Sequence, residues 1–473
     1  MIIMKFGGTS VKDAKSMQEA VNIVKKSNQK RVVLLSACSG ITDKLLSLIK
    51  DAANPEAVFP SKAIDEIELH HNNLSSELFK NKIFVNYSAA LIKRYCNELR
   101  KLAEGVRLLK ECSPRSRDRA ASFGELLSTT IFQFLCLENS LKPILIDARK
   151  VIKTNSDFCS AKVLVKQTRK NAINIIGKEL GLSFNKRNSY EGNSGIAEIE
   201  NKTQTDLIIT QGFIASDLSN KTTTLGRGGS DWSAAILGSA LNASEIQIYT
   251  DVDGVLSSDP KIIKNSKLID KVSYEEIKEL SFFGAKVVHP AAIFPALVKN
   301  IPVRIMNTFN EKSPGTLICY EDSANATKFK SIVLKKDCQL LNINFSSKAN
   351  SQLYLQKFYK FFLRREVKVY FQSSSVSRIT FLIEKNADIN FLVEQMSCNK
   401  TLAELLNVDL LVVCANAILD CKKEDFQAIF EELLQKNENC HFIAFTDNSL
   451  LSAVAPIYSE TVANKIHQKI FEK

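Results

Sequence analysis

Several features that would place this chain in a protein class are missing from its sequence. The eleven cysteines are scattered, no two of them form a Cys-x-x-Cys pair, and no group of cysteine and histidine has the spacing of a zinc site. An apolar segment, Ile2 to Phe6, follows the first residue directly, and we therefore expect no secretory leader. We therefore expect reduced thiols in a cytoplasmic protein, and we assign no residue to a metal.

Two further absences concern membranes and nucleic acids. No apolar run approaches the length that spans a bilayer. The formal net charge is +12, but basic clusters such as Lys25-Lys26 and the stretch from Arg115 to Arg119 lack the interleaved aromatic side chains on which bases stack. We therefore expect no membrane and no nucleic acid among the partners, and a positive field that attracts anionic substrates.

The order of the apolar segments predicts an α/β protein. Its 473 residues are enough for two or three domains. Buried strands are predicted at Ile2 to Phe6 and at Arg31 to Ser36, and each is followed by a loop rich in Gly or Ser and by an amphipathic helix. This order is typical of a mainly parallel sheet that is covered by helices on both faces and binds ligands at the carboxyl ends of its strands. Residues 51–111 show a helical pattern.

The character of the sequence changes after Pro314. Residues 321–327 are polar, and from Ile332 onward short strands and amphipathic helices follow one another in two similar groups. This pattern predicts a pair of small α+β modules, each below ~80 residues and dependent on a partner surface. We expect a first domain over residues 1–315 and a second over residues 328–473.

A glycine-rich turn in the middle of the chain has the form of a phosphate site. Gly226, Gly228 and Gly229 precede an apolar-periodic helix that starts near Trp232. A glycine turn that leads into a helix N-terminus presents free N–H groups and a positive dipole end to an anion. The carboxylate of Asp231 suggests charge balance through Mg²⁺ or a cationic side chain. Taken alone, such a hexapeptide is more often an ordinary tight loop with an N-capping Ser or Asp.

Further loops at predicted strand ends carry polar residues. They are Lys5 with Gly7 and Gly8, the run from Ser36 to Thr42, and the pair Thr250-Asp251. A second lysine, Lys286, follows a Gly-Ala pair. Two lysines, two glycine loops and an acid together suit phosphoryl transfer, which depends on positioning and charge neutralisation. No loop matches Gly-x-x-x-x-Gly-Lys-Ser/Thr, so a P-loop is excluded.

These motifs together resemble the aspartokinases. The matching runs are Lys5 to Val11, Ser36 to Thr42, Ser122 to Glu125, Thr222 to Asp231, Thr250 to Gly254 and Phe283 to Pro290. Their order and spacing fit the family over residues 1–310, and the second part of the chain, which ends with residues 465–471, resembles the paired ACT modules of the monofunctional, lysine-sensitive type. The resemblance implies a three-layer amino-acid-kinase fold with a mainly parallel sheet, followed by two ferredoxin-like ACT modules.

The same resemblance implies a reaction and its partners. An aspartokinase phosphorylates the side-chain carboxylate of L-aspartate with ATP to give 4-phospho-L-aspartate, which leads to lysine, threonine and methionine. The substrate carboxylate itself attacks the γ-phosphorus, so no covalent enzyme intermediate is expected. The resemblance also implies Mg²⁺, a homodimer formed through the ACT modules, and lysine as a possible effector.

The resemblance assigns roles to individual residues. Lys5 and Asp231 would be catalytic, the first by neutralising charge on the transferred phosphoryl group. The substrate would be bound by Ser36, Thr42, Glu125, Gly229 and Ser230. ATP would be bound by Lys5, Gly7, Gly8, Thr250, Asp251, Lys261 and Lys286. Considered alone, Ser36 and Thr42 are equally explained as helix caps, and Glu125 as an acid in the first turn of a helix.

Two departures from the family pattern bear on activity. Ser160 stands where the family has an arginine that clamps a substrate carboxylate, and the nearby Lys162 would replace it only as a looser point charge. Tyr370 stands where the family has an acid that holds the amino group of the effector. We therefore expect a weakened or rebuilt grip on aspartate, and weak or absent inhibition by lysine.

Two alternative functions remain open from the sequence. The first is a decayed kinase that serves as an amino-acid-binding or scaffold protein, which Ser160 favours and the retained Lys5 and Glu125 oppose. The second is an acid kinase of the same fold that acts on glutamate-like or carbamate substrates. The opening motif and the ACT-like tail count against this second alternative.

Overall fold

The computed structural model describes the chain in two compact units. The described residues are 1–184, 196–198, 205–285, 288–320, 329–345, 351–386, 388–390, 393, 401–415, 418, 421, 423–434 and 440–472. The first unit contains Met1–Val255, Asp270–Tyr274 and Val287–Asp322, and the second contains Leu256–Ile269, Glu275–Lys286 and Ser323–Lys473. Two short segments before residue 287 thus belong to the second unit, which the sequence did not indicate. The expected boundaries at residues 315 and 328 remain predictions.

The first unit is built around a mainly parallel sheet. Its strands are β1 (Ile2–Phe6), β2 (Arg31–Leu35), β3 (Pro143–Leu145), β4 (Lys153–Thr154), β5 (Leu182–Phe184), β6 (Ile196–Glu198), β7 (Leu207–Gln211), β8 (Ile214–Asp217), β9 (Thr222–Thr224), β10 (Glu245–Thr250), β11 (Lys271–Ser273), β12 (Val303–Asn307) and β13 (Thr316–Cys319). Eight of them form one sheet in the order β11-β13-β12-β10-β1-β2-β7-β3. Neighbouring strands are parallel, except that β12 and β13 are antiparallel. The predicted mainly parallel sheet is confirmed.

Helices cover both faces of this sheet. The helices of the first unit are α1 (Ala14–Lys26), α2 (Ile41–Ala53), α3 (Ser61–Leu78), α4 (Lys82–Leu109), α5 (Pro114–Glu138), α6 (Ala148–Val151), α7 (Val165–Ala172), α8 (Gly229–Leu241) and α10 (Pro290–Leu297), whereas α9 (Tyr274–Phe283) belongs to the second unit from Glu275 onward. Successive strand residues point to opposite faces. Met4 and Phe6 join a core formed with α1 to α5. On the other face, Ile246 packs so closely on α8 that a Cβ at Gly238 would lie 2.5 Å from its Cδ1. The three layers and the helical character of residues 61–109 agree with the sequence analysis.

Helix α5 lies at the centre of the first layer. By length and composition it is able to cross a membrane, contrary to the expectation that no apolar run approaches that length. However, 83% of its most apolar window is buried within the fold. Such burial is typical of a core helix that packs against its own protein.

The second unit contains one antiparallel sheet. Its elements are β14 (Phe329–Phe345), α11 (Ser351–Arg364), β15 (Val369–Ser374), β16 (Arg378–Glu384), β17 (Thr401–Ala415), α12 (Lys423–Leu434), β18 (Cys440–Phe445), β19 (Ser449–Val454) and α13 (Pro456–Phe471). The six strands have the order β15-β16-β14-β17-β19-β18. One core joins α11 to β14 and β16, and another joins α12 and α13 to β17 and β19. The two α+β halves share a continuous sheet because β14 pairs with β17.

Candidate functional site

The site begins with a buried lysine at the carboxyl end of β1. Lys5 Nζ lies 2.6 Å from Asp231 Oδ1, and the two side chains are only 11% and 15% exposed. Asp231 reaches this position because it lies in the first turn of α8, directly after the glycine turn. An ion pair in such a poorly hydrated place is screened much less than one in water. Asp231 therefore fixes the position of the Lys5 ammonium.

The glycine turn has the backbone form that the sequence predicted. Gly226 and Gly228 have φ values of +76° and +70°, which side chains with a Cβ rarely adopt. A Cβ at Gly229 would lie 2.8 Å from the ring of Phe213, so this position also requires glycine. The turn leads directly into α8, whose N-terminal dipole end favours an anion.

The loop after β2 supplies hydroxyl groups beside the turn. Ser36 Oγ donates to Ser230 Oγ at 3.0 Å, which links the end of β2 to the start of α8. The Ser36 carbonyl accepts a hydrogen bond from Ser128 Oγ at 2.8 Å. Gly40 has a φ of +79° and begins α2, which places Thr42 in the first helical turn. Ser36 and Ser230 are thus held by contacts that leave both hydroxyl oxygens near the same cleft.

A buried carboxylate lines the same cleft as the lysine. Glu125 on α5 is 2% exposed, and its Oε1 accepts a hydrogen bond from the Ala37 N–H at 3.2 Å. Its Oε2 is buried and has no hydrogen-bond partner among the described residues. Burial raises the pKa of Glu125 to about 8, and the hydrogen bond from Ala37 opposes this rise. The free oxygen therefore favours a cationic ligand group.

These residues line one cleft of about 300 Å³. The lining residues are Lys5, Ser36, Thr42, Glu125, Phe213, Gly226, Gly228, Gly229, Ser230 and Asp231. The cleft brings together both residues predicted to be catalytic and the full set predicted to bind substrate. The sequence analysis missed Phe213, whose φ of +63° and place just after β7 could have marked it as a site residue.

The residues predicted to bind ATP are only partly assembled. The Gly7 N–H donates to the Tyr249 carbonyl at 3.1 Å, so the first glycine pair is attached to the end of β10. Thr250 Oγ1 donates to Asp251 Oδ1 at 3.1 Å at that same end. A Cβ at Gly8 would lie 3.0 Å from the Ala37 carbonyl oxygen. These positions adjoin the cleft through β1 and β10 without lining it.

Two lysines predicted to bind ATP are not placed at the cleft. Lys261 belongs to the second unit, where its N–H donates to Asp259 Oδ1 at 2.9 Å. Lys286 lies outside the described residues. The roles of both lysines remain predictions from the sequence.

Ser160, the departure from the family pattern, lies beside the glycine turn. A Cβ at Gly226 would be 3.7 Å from Ser160 Oγ. The buried Asp118 holds this region together by accepting hydrogen bonds from the N–H groups of Cys159 at 2.9 Å and Thr224 at 3.0 Å. Lys162 is exposed, and its N–H donates to Asn155. Ser160 is thus an exposed neighbour of Gly226, which lines the cleft described above.

The chain shares sequence similarity with curated proteins. The amino acid kinase family matches residues 1–307. Lysine-sensitive aspartokinase 3 of Escherichia coli (strain K12) is 32% identical over 369 residues, which are 78% of this chain and 75% of that protein. An aspartokinase of Chlamydia trachomatis is 31% identical over 350 residues, which are 73% of this chain and 71% of that protein.

The fold is also similar to solved structures. Escherichia coli aspartokinase III in complex with lysine and aspartate has a TM-score of 0.79 at 28% identity, with 100% of this chain and 99% of that chain covered. The same enzyme in complex with aspartate and ADP has a TM-score of 0.74 at 28% identity, with both chains fully covered. The chain therefore belongs to the amino acid kinase family and, within it, to the aspartokinases.

Proposed function

We propose that this chain transfers the γ-phosphoryl group of ATP to the side-chain carboxylate of L-aspartate in the cytoplasm, giving 4-phospho-L-aspartate for lysine, threonine and methionine synthesis. The observation that carries the proposal is the cleft in which a poorly exposed lysine and a buried carboxylate flank a glycine turn. The related aspartokinase III has been solved with aspartate and ADP. We further propose a homodimer formed through the second unit.

The cleft provides a separate group for each charged part of aspartate. Glu125 Oε2, which lacks a partner among the described residues, receives the ammonium group. Ser36, Thr42 and the first turn of α8 donate hydrogen bonds to carboxylate oxygens. An ionised side-chain carboxylate attacks the γ-phosphorus without a general base, and ADP leaves. Binding and orientation are thus the main contributions of these residues.

Lys5 supplies the charge that the transfer requires. Negative charge on the equatorial phosphoryl oxygens is stabilised by a fixed cation, and Asp231 keeps Lys5 fixed before ATP arrives. A lysine that is already oriented does not have to reorganise during the reaction. The Asp231 carboxylate therefore acts first as a positioning group.

The proposed binding groups for ATP and Mg²⁺ lie at strand ends next to the cleft. Gly7, Gly8, Thr250 and Asp251 lie at neighbouring ends of β1 and β10, where phosphates approach backbone N–H groups. Mg²⁺ is usually held by one or two carboxylates together with substrate phosphates, and Asp231 fits such a set. When bound, Mg²⁺ would neutralise phosphate oxygens. Lys261 and Lys286 remain proposed contacts of the nucleotide.

The proposal is tested by measuring ADP release from Mg·ATP with and without L-aspartate. We expect aspartate-dependent turnover that falls about 10²–10³-fold in kcat for Lys5→Ala, the loss typical of removing one electrostatic contact to the transition state. Lys12→Ala is the matched control, because Lys12 and its partner Asp13 are 51% and 52% exposed. Folded protein that binds ATP but gives no aspartate-dependent ADP would support the decayed kinase instead.

A further inference from the structure

A cysteine and two histidines from separate parts of the first unit meet beside the cleft. Cys38 lies in the loop between β2 and α2, and His70 and His71 lie on α3. One potential ligand atom from each residue lies within 4.8 Å of the other two. The functions discussed so far use none of the three side chains. Their separation along the chain explains why no zinc spacing was visible in the sequence.

His71 is oriented as a metal-binding imidazole would be. The residue is fully buried, and its Nδ1 lies 2.7 Å from the Ile67 carbonyl oxygen. A carbonyl only accepts, so Nδ1 carries the proton and Nε2 carries the free lone pair. Nε2 is buried and has no hydrogen-bond partner among the described residues. In metal sites, the ligating imidazole commonly donates its other N–H to a backbone carbonyl in this way.

The three groups differ in exposure, and burial raises the pKa of the Cys38 thiol, so a bound metal has to displace the thiol proton. His70 is exposed. Cys38 is 2% exposed, so its thiol is shielded from general solvent chemistry. The exposed His70 provides the way in for an ion.

We infer that Cys38, His70 and His71 form a binding site for a thiophilic transition-metal cation, with Zn²⁺ as the expected occupant. One thiolate and two imidazoles are ligands that Zn²⁺ accepts, with water in the fourth position. Zn–S and Zn–N bonds of about 2.3 and 2.0 Å place tetrahedral ligand atoms about 3.3–3.6 Å apart. Ligand atoms that lie within 4.8 Å of one another can reach this spacing by a small approach, as the thiol proton leaves for solvent and the Zn–S bond forms.

The site also connects to the aspartate side of the cleft. Cys38 follows Ala37, whose N–H holds the Glu125 carboxylate at 3.2 Å, and Ser36 lies one residue earlier. An ion bound to Cys38 thus fixes the segment that carries one proposed aspartate contact, Ser36, and that holds another, Glu125, through the Ala37 N–H. This consequence rests on the proposed function, and it predicts a change in the KM for aspartate with little change in the KM for ATP.

Cobalt titration of the reduced, metal-stripped full chain tests the site without measuring activity. We expect one equivalent of Co²⁺ to produce a thiolate-to-cobalt charge-transfer band that Zn²⁺ abolishes. Cys38→Ala removes the band, and His70→Ala weakens cobalt binding by at least about tenfold, the loss that even an outer-shell group causes. Cys96→Ala is the matched control, since Cys96 is a similarly buried thiol on α4 and should retain the band.

Two further measurements separate the metal site from its coupling to catalysis. Zn²⁺ should raise the melting temperature of wild type and Cys96→Ala but not of Cys38→Ala, because a ligand stabilises the state that binds it. A cobalt spectrum that survives Cys38→Ala overturns the site. If the band depends on Cys38 but Zn²⁺ leaves the KM for aspartate unchanged in an active enzyme, the site stands and the coupling is wrong. If no turnover occurs, the spectra still decide the site.

Discussion

Gly124 on α5 packs so tightly against Ala37 that a Cβ at position 124 would lie 2.7 Å from the Ala37 Cβ. Real Cβ atoms do not approach each other this closely, so an added methyl group must push the Ala37 loop away from α5. Because the Ala37 N–H donates a hydrogen bond to Glu125, this movement also disturbs the Glu125 carboxylate. The contact therefore links a packing requirement to the proposed aspartate site.

We expect Gly124→Ala to lower the free energy of unfolding by about 1–3 kcal/mol, the usual cost of overpacking a core. The same change should raise the KM for aspartate more than the KM for ATP. Urea denaturation and steady-state kinetics measure the two effects. A variant with unchanged stability and kinetics would contradict the prediction, because it would mean that the Ala37 loop moves without loss of free energy of unfolding.

Gly105 on α4 provides the matched control for this prediction. It also lies in a helix interior, but a Cβ there would meet nothing within 4 Å. Gly105→Ala should therefore stabilise the fold by about 0.5–1 kcal/mol, because alanine is the better helix former. Opposite signs for the two substitutions would attribute the effect to local packing rather than to loss of glycine.

The raised pKa of Glu125 predicts how substrate binding depends on pH. Burial raises this pKa from 4.5 to about 8, so the carboxyl group is largely neutral in the free enzyme at neutral pH. Only the ionised form attracts the substrate ammonium strongly, so kcat/KM for aspartate should rise as the pH approaches about 8. Glu125→Gln should have a lower kcat/KM without this rise. A rise that persists in the variant would assign the titration to another group.

Fold stability should change in the opposite direction. Between the ordinary pKa of 4.5 and about 8, the unfolded chain binds fewer protons at Glu125 than the folded chain. This contribution to the free energy of unfolding is fully present below 4.5, falls as the pH rises through the interval, and is gone above about 8. The decrease should be smaller in Glu125→Gln. Denaturation at several pH values provides the comparison.

Much of the fold and part of the site could be predicted from local sequence patterns. β1 and β2 are recognisable in the sequence as apolar runs that are followed by glycine or serine. This pattern predicted that Lys5 and Ser36 lie at the same edge of a parallel sheet. The glycine turn before α8 has the backbone angles that its composition requires. These features are determined by residues that are close together in the sequence, so they can be predicted from it.

Features that depend on distant packing were not predictable in the same way. Asp118 on α5 holds Thr224, and Cys38 meets His71, through contacts that arise only when helices pack on the sheet. Residues 256–269 pack with the second unit although they precede it by many residues. The local periodicity of apolar residues does not predict such contacts, because several arrangements of helices on the sheet are compatible with the same apolar pattern.

Ser160→Arg tests whether the missing arginine weakens substrate binding. Ser160 is exposed beside Gly226, so the longer side chain requires no repacking. A bidentate arginine–carboxylate contact is stronger than a neutral hydrogen bond, and we expect the KM for aspartate to fall by about tenfold with the free energy of unfolding nearly unchanged.

Lys162→Ala should raise the KM for aspartate if Lys162 now binds the substrate carboxylate. Lys166→Ala, at another exposed lysine, should leave this KM unchanged. An unchanged KM in Ser160→Arg would show that another group already grips the substrate.

Tyr370 predicts that lysine is a poor inhibitor of this enzyme. Its side chain is buried, its ring centroid lies 6.0 Å from that of Phe282, and Lys368 Nζ lies 5.0 Å from the Tyr370 centroid. The carboxylate that acts on Tyr370 belongs to Glu384, which already lies 3.6 Å from Lys335 Nζ. The ammonium group of a lysine effector would thus lie near two cations, Lys368 and Lys335, and near the Tyr370 phenol, which cannot neutralise its charge.

Initial rates measured with increasing lysine test this prediction, with Escherichia coli lysine-sensitive aspartokinase 3 as the positive control. We expect this chain to keep most of its activity at millimolar lysine. Binding would remove water from the lysine ammonium group, and no carboxylate would be available to offset the free energy of that desolvation. Calorimetry on the full chain separates weak binding from binding without inhibition. Micromolar lysine binding would contradict the argument and would require that another carboxylate of the second unit takes the place of the family's acid.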